Sequence, residues 1–84
     1  MRPAEAFPLG VHLREELDAR GWTANDVARA TILSPERVQE ILDGIEPRLR
    51  FREAEVLGYA LGVHSSLLLN LDMSYRKWHA DQAS

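Results

Sequence analysis

Two short stretches that carry helix-capping signals, separated by a very short turn, most constrain the fold of this chain. Thr23 and Asp26 have the spacing of a capping box at the start of one helix. Ser34 then precedes Pro35, which gives the next helix an N-cap and places a proline where its missing N–H is harmless. The turn "ATIL" lies between the two helices. This arrangement predicts a helix-turn-helix over about residues 23–44.

The residue types needed to pack two such helices together are also present. Ala28 is small enough to let the second helix of the pair cross the first closely. Apolar residues that can lock this crossing stand on both sides of the turn, namely Val27, Leu33, Val38 and Ile41. Because any corner between two helices could share this pattern, the rest of the chain has to support the interpretation.

Apolar spacing and helix-ending glycines predict three further helices, over residues 9–20, 51–61 and 65–79. No run alternates between apolar and polar residues as a half-buried strand does. A chain of 84 residues is long enough for one small domain. The predicted fold is therefore an all-α, compact five-helix bundle that occupies residues 1–84, with an N-terminal arm over residues 1–8.

Five segments of the chain occur in one order at compatible spacings: "LREELDARGW", "DVARA", "SPERVQEILDG", "AEVLGYALG" and "LLLNLDMSYRKW". Together they resemble the Xre-type helix-turn-helix family, and within it the branch of HigA-type antitoxins, whose last helix is patterned Trp-Leu-x-Leu-Gln-x-x-Tyr-x-x-Trp. The resemblance covers roughly residues 8–79. It implies a lambda-repressor-like domain, a homodimer, binding of double-stranded operator DNA by the third helix, and partnership with a ribosome-dependent, RNA-cleaving toxin.

The chain departs from this family pattern at four places. Ile32 stands where the family has a turn glycine, and a β-branched residue fits a positive φ poorly, so we expect an altered turn that could re-aim the third helix. The loop after Gly44 is one residue longer than the family's. Leu68 replaces the family's tryptophan and Asp72 replaces its glutamine. None of these departures affects the predicted fold class.

The third helix has an acidic exposed side. On an ideal helix Val38 and Ile41 share the buried side, whereas Glu36, Glu40 and Asp43 lie opposite. In a helix-turn-helix, exposed residues near the start of this helix meet base edges. The predicted base contacts are Ser34, Glu36, Arg37, Gln39 and Glu40, with Arg37 able to reach either a base or a phosphate. Glutamate can accept from cytosine and glutamine can pair with adenine, although acids near phosphates are repelled. The alternative is a solvated polar face on a surface helix.

The densest basic cluster in the chain, "PRLRFR", follows the third helix. Arg50 occupies the position at which the family has a serine or threonine that caps the fourth helix. A lost cap destabilises by about 1 kcal/mol, and a cation opposes the helix dipole at this end. A sequence that breaks two local rules at one position often does so for function. We predict phosphate contacts from Thr23, Arg48, Arg50 and Arg52. The alternative is that these arginines pair with neighbouring glutamates such as Glu46 and Glu53.

An apolar stripe along the last helix extends beyond the motif. Leu67, Leu68 and Leu71 are expected to cover the core of the monomer. Tyr75 and Trp78 lie near the end of the chain, where the core has little left to cover, so they favour a contact between two copies. The predicted dimer interface comprises Leu68, Leu71, Tyr75 and Trp78. Such a dimer would set two third helices about 34 Å apart, which is one turn of DNA.

Several classes of function are not predicted. The chain has no cysteine, no apolar run of the roughly 18 residues needed to cross a bilayer, and no secretory signal in "MRPAEAFPLG". The three histidines, at positions 12, 64 and 79, have no carboxylate at ligand spacing, and no catalytic set can be assembled. We therefore expect no enzyme, no cofactor, no metal, no membrane contact and a cytoplasmic location.

Two functions remain open from the sequence. The first is a dimeric transcriptional regulator, the antitoxin of a toxin–antitoxin pair that represses its own operon, and the motif and the arginine cluster favour it. The second is a helix-turn-helix fold that binds only proteins and presents its acidic face to a basic partner. The net charge of −3 favours this second function, since DNA-binding domains are usually basic.

Overall fold

The computed structural model describes residues 7–44 and 48–83, and within these residues the chain forms five α-helices and no strand. The helices are α1 (Leu9–Arg20), α2 (Ala24–Ala30), α3 (Pro35–Asp43), α4 (Phe51–Leu61) and α5 (Ser65–Ala83). The predicted all-α fold with its helix-turn-helix is confirmed. The first four helices have the predicted bounds, whereas α5 continues beyond residue 79. Most of the predicted N-terminal arm, and the lengthened loop that contains Glu46, lie outside the described residues.

The helix starts of the motif are fixed by the side chains that the sequence indicates. Thr23 caps α2, because its Oγ1 accepts from the Asp26 N–H at 3.2 Å and the Asp26 carboxylate accepts from the Thr23 N–H at 2.8 Å. The Thr23 N–H, together with Arg29, holds the pKa of Asp26 below its ordinary value. The Ser34 hydroxyl accepts from the N–H of Arg37 at 3.1 Å and so starts α3. Gly44 ends α3 with a φ of 73°, a conformation that favours glycine.

The turn between α2 and α3 is built without a glycine. Thr31 has an extended backbone, with φ −131° and ψ −176°, and no described residue other than glycine has a positive φ. The Thr31 hydroxyl donates to the Val27 carbonyl at 2.9 Å and accepts from the Leu33 N–H at 3.2 Å. This pair of bonds reverses the chain in place of the family's glycine. It leaves Ile32 69% exposed.

One apolar core joins all five helices. Val27, Val38 and Ile41 are buried in it, and Ala28 and Leu33 pack against it, as the sequence predicts for the crossing of α2 and α3. The other buried apolar residues are Leu9, Leu13, Leu17, Leu42, Leu49, Ala54, Leu57, Leu61 and Leu68. Arg20, at the end of α1, donates to the Leu61 carbonyl and so satisfies an orphan acceptor at the end of α4.

The stripe on α5 differs from its prediction at two positions. Leu68 is only 3% exposed and belongs to the monomer core, so it is removed from the predicted dimer interface. Leu67 is 49% exposed and does not cover the core as predicted, because α5 is rotated to direct the next residue inward. Asp72 is buried on the same helix, and Arg76 compensates its charge at 3.0 Å. No helix in the described part of the chain is long and apolar enough to cross a bilayer.

The start of α1 lies against the end of α3 at Gly10. A Cβ at this position would stand 2.6 Å from the carbonyl carbon of Leu42 and 2.9 Å from the carbonyl oxygen of Ile41. The two backbones therefore touch directly, and only a residue without a side chain fits between them. This contact sets the distance between the backbones of α1 and α3 at this point.

We expect the substitution Gly10→Ala to lower the free energy of unfolding by about 1–3 kcal/mol, because the new methyl group forces two backbones apart. Urea denaturation followed by circular dichroism measures this change. Asn70→Ala, at an exposed position of α5, serves as the control and should be neutral or slightly stabilising through helix propensity. A Gly10→Ala variant as stable as the wild type would contradict the contact.

Candidate nucleic-acid interface

The predicted base-contacting residues that stay exposed lie at the start of α3. Ser34, Glu36 and Gln39 are all exposed. Glu36 and Gln39 line a shallow groove together with Thr23, from the start of α2, and the neighbouring groove residues are Ala24, Asn25 and Pro35. The fold thus brings a predicted phosphate contact next to predicted base contacts. Asn25 is exposed in the same groove and was not predicted, because nothing in the capping pattern singles it out.

The acidic side of α3 is partly neutralised by local ion pairs. Glu40 pairs with Arg37 at 3.3 Å, and Asp43 pairs with Arg14 of α1 at 2.7 Å. Glu36 has no hydrogen bond or ion pair to any residue among 7–44 and 48–83. Pairs as exposed as that of Arg14 contribute about 0–1 kcal/mol to stability. They also change the local charge: among the described residues, Glu36 is the one acid of the three without a paired cation.

Gln39 is held by the same set of contacts. Its Nε2 donates to the Asp43 carboxylate at 3.0 Å, and the oxygen that accepts this bond also accepts from Arg14. One N–H and the carbonyl oxygen of the amide remain available. An outward-facing donor and acceptor on one amide match the edge that adenine presents in the major groove.

Arg37 does not lie where the sequence prediction placed it. Its Nε donates to Glu53 Oε2 at 2.6 Å and its Nη2 donates to Glu53 Oε1 at 2.8 Å, which makes a two-pronged pair between α3 and α4. The exposed fractions of the two side chains are 15% and 10%. Arg37 is therefore turned inward, and the predicted base contact is corrected, because a carboxylate from the neighbouring helix takes up its guanidinium.

The pair between these helices shifts the titration of both partners. The hydrogen bonds from Arg37 lower the pKa of Glu53 below its ordinary value of 4.5, burial opposes this shift, and the peptide N–H of Arg50 adds to it. The hydrogen bonds to Glu53 likewise raise the pKa of Arg37. Both groups are therefore charged across the whole neutral range, and the pair is an ionic one.

The arginine segment, residues 48–52, is anchored to the core through its centre. Leu49 is buried, whereas Arg48, Arg50 and Arg52 are exposed. The N–H of Arg50 donates to Glu53 Oε1 at 2.8 Å. A guanidinium has no acceptor, so Arg50 completes only this half of a capping box at the start of α4.

The sequence left open that Arg48, Arg50 and Arg52 pair with neighbouring glutamates. Glu53 is not such a partner, because both of its carboxylate oxygens accept from Arg37. Within the described residues no carboxylate lies within ion-pair distance of the three exposed arginines of the segment. Arg48 and Arg50 flank Leu49, but Arg52 lines a second groove, between the end of α2 and α4, together with Arg29. This groove also contains Ile32 and Tyr59, which the sequence prediction did not consider.

Two capped helices that cross over a shared core, with an exposed third helix beside an arginine segment, define a helix-turn-helix protein. A model of the helix-turn-helix domain family matches residues 8–71, so the chain belongs to that family. No protein of curated function matches the chain closely enough to add to this assignment.

Two solved structures share the fold over almost the whole chain. An addiction module antidote protein of the HigA family from Coxiella burnetii matches with a TM-score of 0.88 and 27% identity, over 96% of this chain and 88% of that one. A candidate antidote protein of a plasmid maintenance system from Nostoc punctiforme matches with a TM-score of 0.86 and 26% identity, over 95% and 87%. The predicted resemblance to the Xre-type family and its HigA-type branch is confirmed.

No group of three or more histidine, aspartate or glutamate side chains converges as a metal site within residues 7–44 and 48–83. The chemistry available on this face is hydrogen bonding by Ser34, Glu36 and Gln39 and charge attraction by the exposed arginines. Both are means of binding.

We expect Glu53→Gln to lower the free energy of unfolding by about 2 kcal/mol at pH 7, since a neutral amide then replaces, in a mostly buried position, a carboxylate that lies nearer to Arg37 than that of Glu40, and the longer ion pair to Glu40 is kept. The folded-state pKa of Glu53 is lowered, so the stabilisation is complete above pH 4.5 and is lost as the pH falls through the folded-state value. Urea denaturation at pH 7 and pH 3 should show the difference from the wild type shrinking at the lower pH.

The matched control for this substitution is Glu55→Gln, which removes the same charge from an exposed position of α4. It should change stability by less than about 0.5 kcal/mol. A Glu53→Gln variant whose deficit is absent at pH 7, or is the same at pH 7 and pH 3, would contradict a stabilising ionic pair.

Proposed function

We propose that this protein is a sequence-specific DNA-binding transcriptional regulator, the antitoxin of a type II toxin–antitoxin pair that represses its own operon. The observation that carries the proposal is the exposed N-terminal half of α3, where Glu36 and Gln39 share a groove with Thr23. In a helix-turn-helix this half of the helix is the part that enters the major groove.

The base contacts belong to the residues that remain exposed on this half of α3. Gln39 is oriented by Asp43 and suits adenine. Glu36, which has no ion pair within the described part of the chain, suits the N4 amino group of cytosine. Ser34 caps the helix and adds a hydroxyl at its edge, while Glu40 stands at the flank, paired with Arg37. An acid that reads cytosine favours specificity over affinity, since every phosphate nearby repels it.

Affinity then has to come from the arginine segment, because the N–H and the hydroxyl of Thr23, a predicted phosphate contact, both donate to Asp26 in the cap of α2. Arg48 and Arg50 are exposed on either side of a buried leucine, and Arg52 follows on the first turn of α4. A net charge of −3 does not prevent such binding, because the local charge next to α3 decides the contact with the phosphates.

A homodimer formed through the last part of α5 would complete the DNA-binding unit. Tyr75 and Trp78 are both half-buried, and their ring centroids lie 6.3 Å apart, which is within the range of favourable aromatic pairs. Leu71 is half-buried on the same stripe. Together they offer an apolar surface that a two-fold partner could cover, so that two copies of α3 meet successive turns of the operator.

The antitoxin role is drawn from the relatives. The two solved structures compared above are antidote proteins, one of an addiction module and one of a plasmid maintenance system. By that likeness this chain neutralises an RNA-cleaving toxin, as the family resemblance implies. It acts in the cytoplasm, where its operator would be, and it acts by binding, without catalysis.

A second candidate function is an interaction module that presents the acidic face to a basic protein partner and binds DNA weakly. The observation in its favour is Glu36, an exposed carboxylate without a cation among the described residues. The ion pairs of Glu40 and Asp43 oppose it, because they leave less negative charge for a basic partner to meet.

The DNA immediately upstream of the coding region tests the two functions. We expect gel-shift titrations to give binding at least about 1,000-fold tighter than to random duplex at physiological salt. Arg50→Ala should lower the magnitude of the slope of log K against log salt concentration by about one, because one phosphate contact is lost. Binding no tighter than to random duplex would favour the interaction module.

Lys77→Ala is the control for charge alone, because Lys77 is an exposed cation on α5, outside the proposed contact. It should leave the slope unchanged. An equal effect of both substitutions would remove Arg50 from the interface and leave only a general effect of net charge.

The proposed dimer predicts a concentration-dependent mass. We expect the wild type to sediment as a dimer at micromolar concentration, and Trp78→Ala to raise the dissociation constant at least about tenfold because an aromatic anchor is lost. Met73→Ala, at a 62%-exposed position of α5 outside the stripe, should leave it unchanged. A wild type that is monomeric at micromolar concentration would overturn the dimer.

A further inference from the structure

We infer that Arg37 and Glu53 are positioning residues for DNA binding: they bind the arginine segment to α3, so that base readers and phosphate contacts move as one unit. This inference rests on the proposed function and assigns a role to a side chain that the sequence had placed among the base readers. The observation behind it is a set of hydrogen bonds that meets at one guanidinium and one carboxylate.

The hydrogen bonds reach the backbone of the segment as well as the two side chains. Arg37 Nη2 donates to the carbonyl oxygen of Arg48 at 3.2 Å. Glu53 Oε1 accepts from the N–H of Arg50 at 2.8 Å. Leu49, between these two residues, is 7% exposed in the core. Three consecutive residues of the segment are therefore fixed relative to the first turns of α3 and α4.

The chemistry of this contact suits it to fixing a direction. Two parallel N–H···O bonds between a guanidinium and a carboxylate define a plane as well as a distance, whereas apolar contacts allow helices to slide. Low exposure strengthens the pair relative to a surface ion pair. A core without this fork could keep α3 and α4 packed, but it would hold the segment only through Leu49 and would leave Arg48 and Arg50 on either side without a fixed direction.

The consequence for binding is preorganisation. Arg48 and Arg50 have long side chains, and each phosphate contact requires the backbone of these residues to lie at a defined distance from α3. Without the fork the same arginines remain, but ordering them becomes part of the binding reaction. Affinity should then fall although no residue that touches DNA has been changed.

A positioning role and simple electrostatics predict opposite changes in DNA affinity for the same substitution. Glu53→Gln removes a negative charge near the phosphates, so electrostatics alone predicts tighter DNA binding. Positioning predicts the opposite, and we expect Glu53→Gln to bind the upstream DNA about tenfold more weakly with a smaller salt slope. Glu55→Gln makes the same charge change at an exposed position of α4 and should bind as well as the wild type or slightly better.

The decisive experiment is a double-mutant cycle of Arg50→Ala and Glu53→Gln, titrated with upstream DNA at several salt concentrations. Circular dichroism first establishes a temperature at which every variant is folded. Positioning predicts that Arg50→Ala weakens binding less in the Glu53→Gln background than in the wild type. Arg37→Lys, which keeps the charge and loses the fork, is the second variant and should also weaken binding several-fold, so the test holds if Glu53→Gln does not fold.

Each outcome decides one of the two proposals. If wild-type protein prefers its upstream DNA, but the cycle is additive and both Glu53→Gln and Arg37→Lys bind as tightly as wild type, the positioning role is wrong and the proposed function stands. If the wild type does not prefer that DNA, the proposed function fails and the positioning role fails with it. A non-additive cycle with weaker binding by both variants supports the inference.

Discussion

The two-pronged pair between Arg37 and Glu53 joins the helix that faces outward to the helix that supports it. The apolar crossing of α2 and α3 sets how the motif packs, but it does not determine where the chain lies after α3. That placement depends on the buried side chain of Leu49 and on the carboxylate of Glu53, which accepts from Arg37 of α3 and from the peptide N–H of Arg50 in the arginine segment. Both partners are mostly buried, so loss of either one leaves the other charge poorly solvated. For Arg37 the contact to Glu40, at 3.3 Å, is longer than either bond to Glu53.

Features that depend on contacts between residues close in sequence, such as helix starts, could be predicted from the sequence. Capping bonds join residues three apart, so the starts of α2 and α3 could be found from Thr23 and Ser34 alone. The inward turn of Arg37 could not be found in this way, because its partner is 16 residues away on a helix whose crossing with α3 was not known. The same limit explains Leu67 and Leu68, which were both expected to cover the core: which of the two is buried depends on a rotation of α5 that only the assembled core determines.

The exposed side of α3 carries less uncompensated negative charge than its sequence indicates. Helical position alone places Glu36, Glu40 and Asp43 on one exposed side. In the folded protein Arg14 reaches Asp43 from α1, and Arg37 lies beside Glu40. A count of charges along one helix misses cations that other turns and other helices supply. Within residues 7–44 and 48–83, only Glu36 of these three acids then keeps a charge that no ion pair offsets.

Arg50 stands at a helix start, where its side chain affects both the stability of α4 and the charge of the surface. A domain of this length has a small margin of stability, and an arginine in place of a serine at a helix start gives up about 1 kcal/mol of capping. Glu53 offsets part of that loss, because its carboxylate accepts the Arg50 N–H and supplies a negative charge at the positive end of α4. The cation can therefore stay exposed at a helix start without undoing the helix.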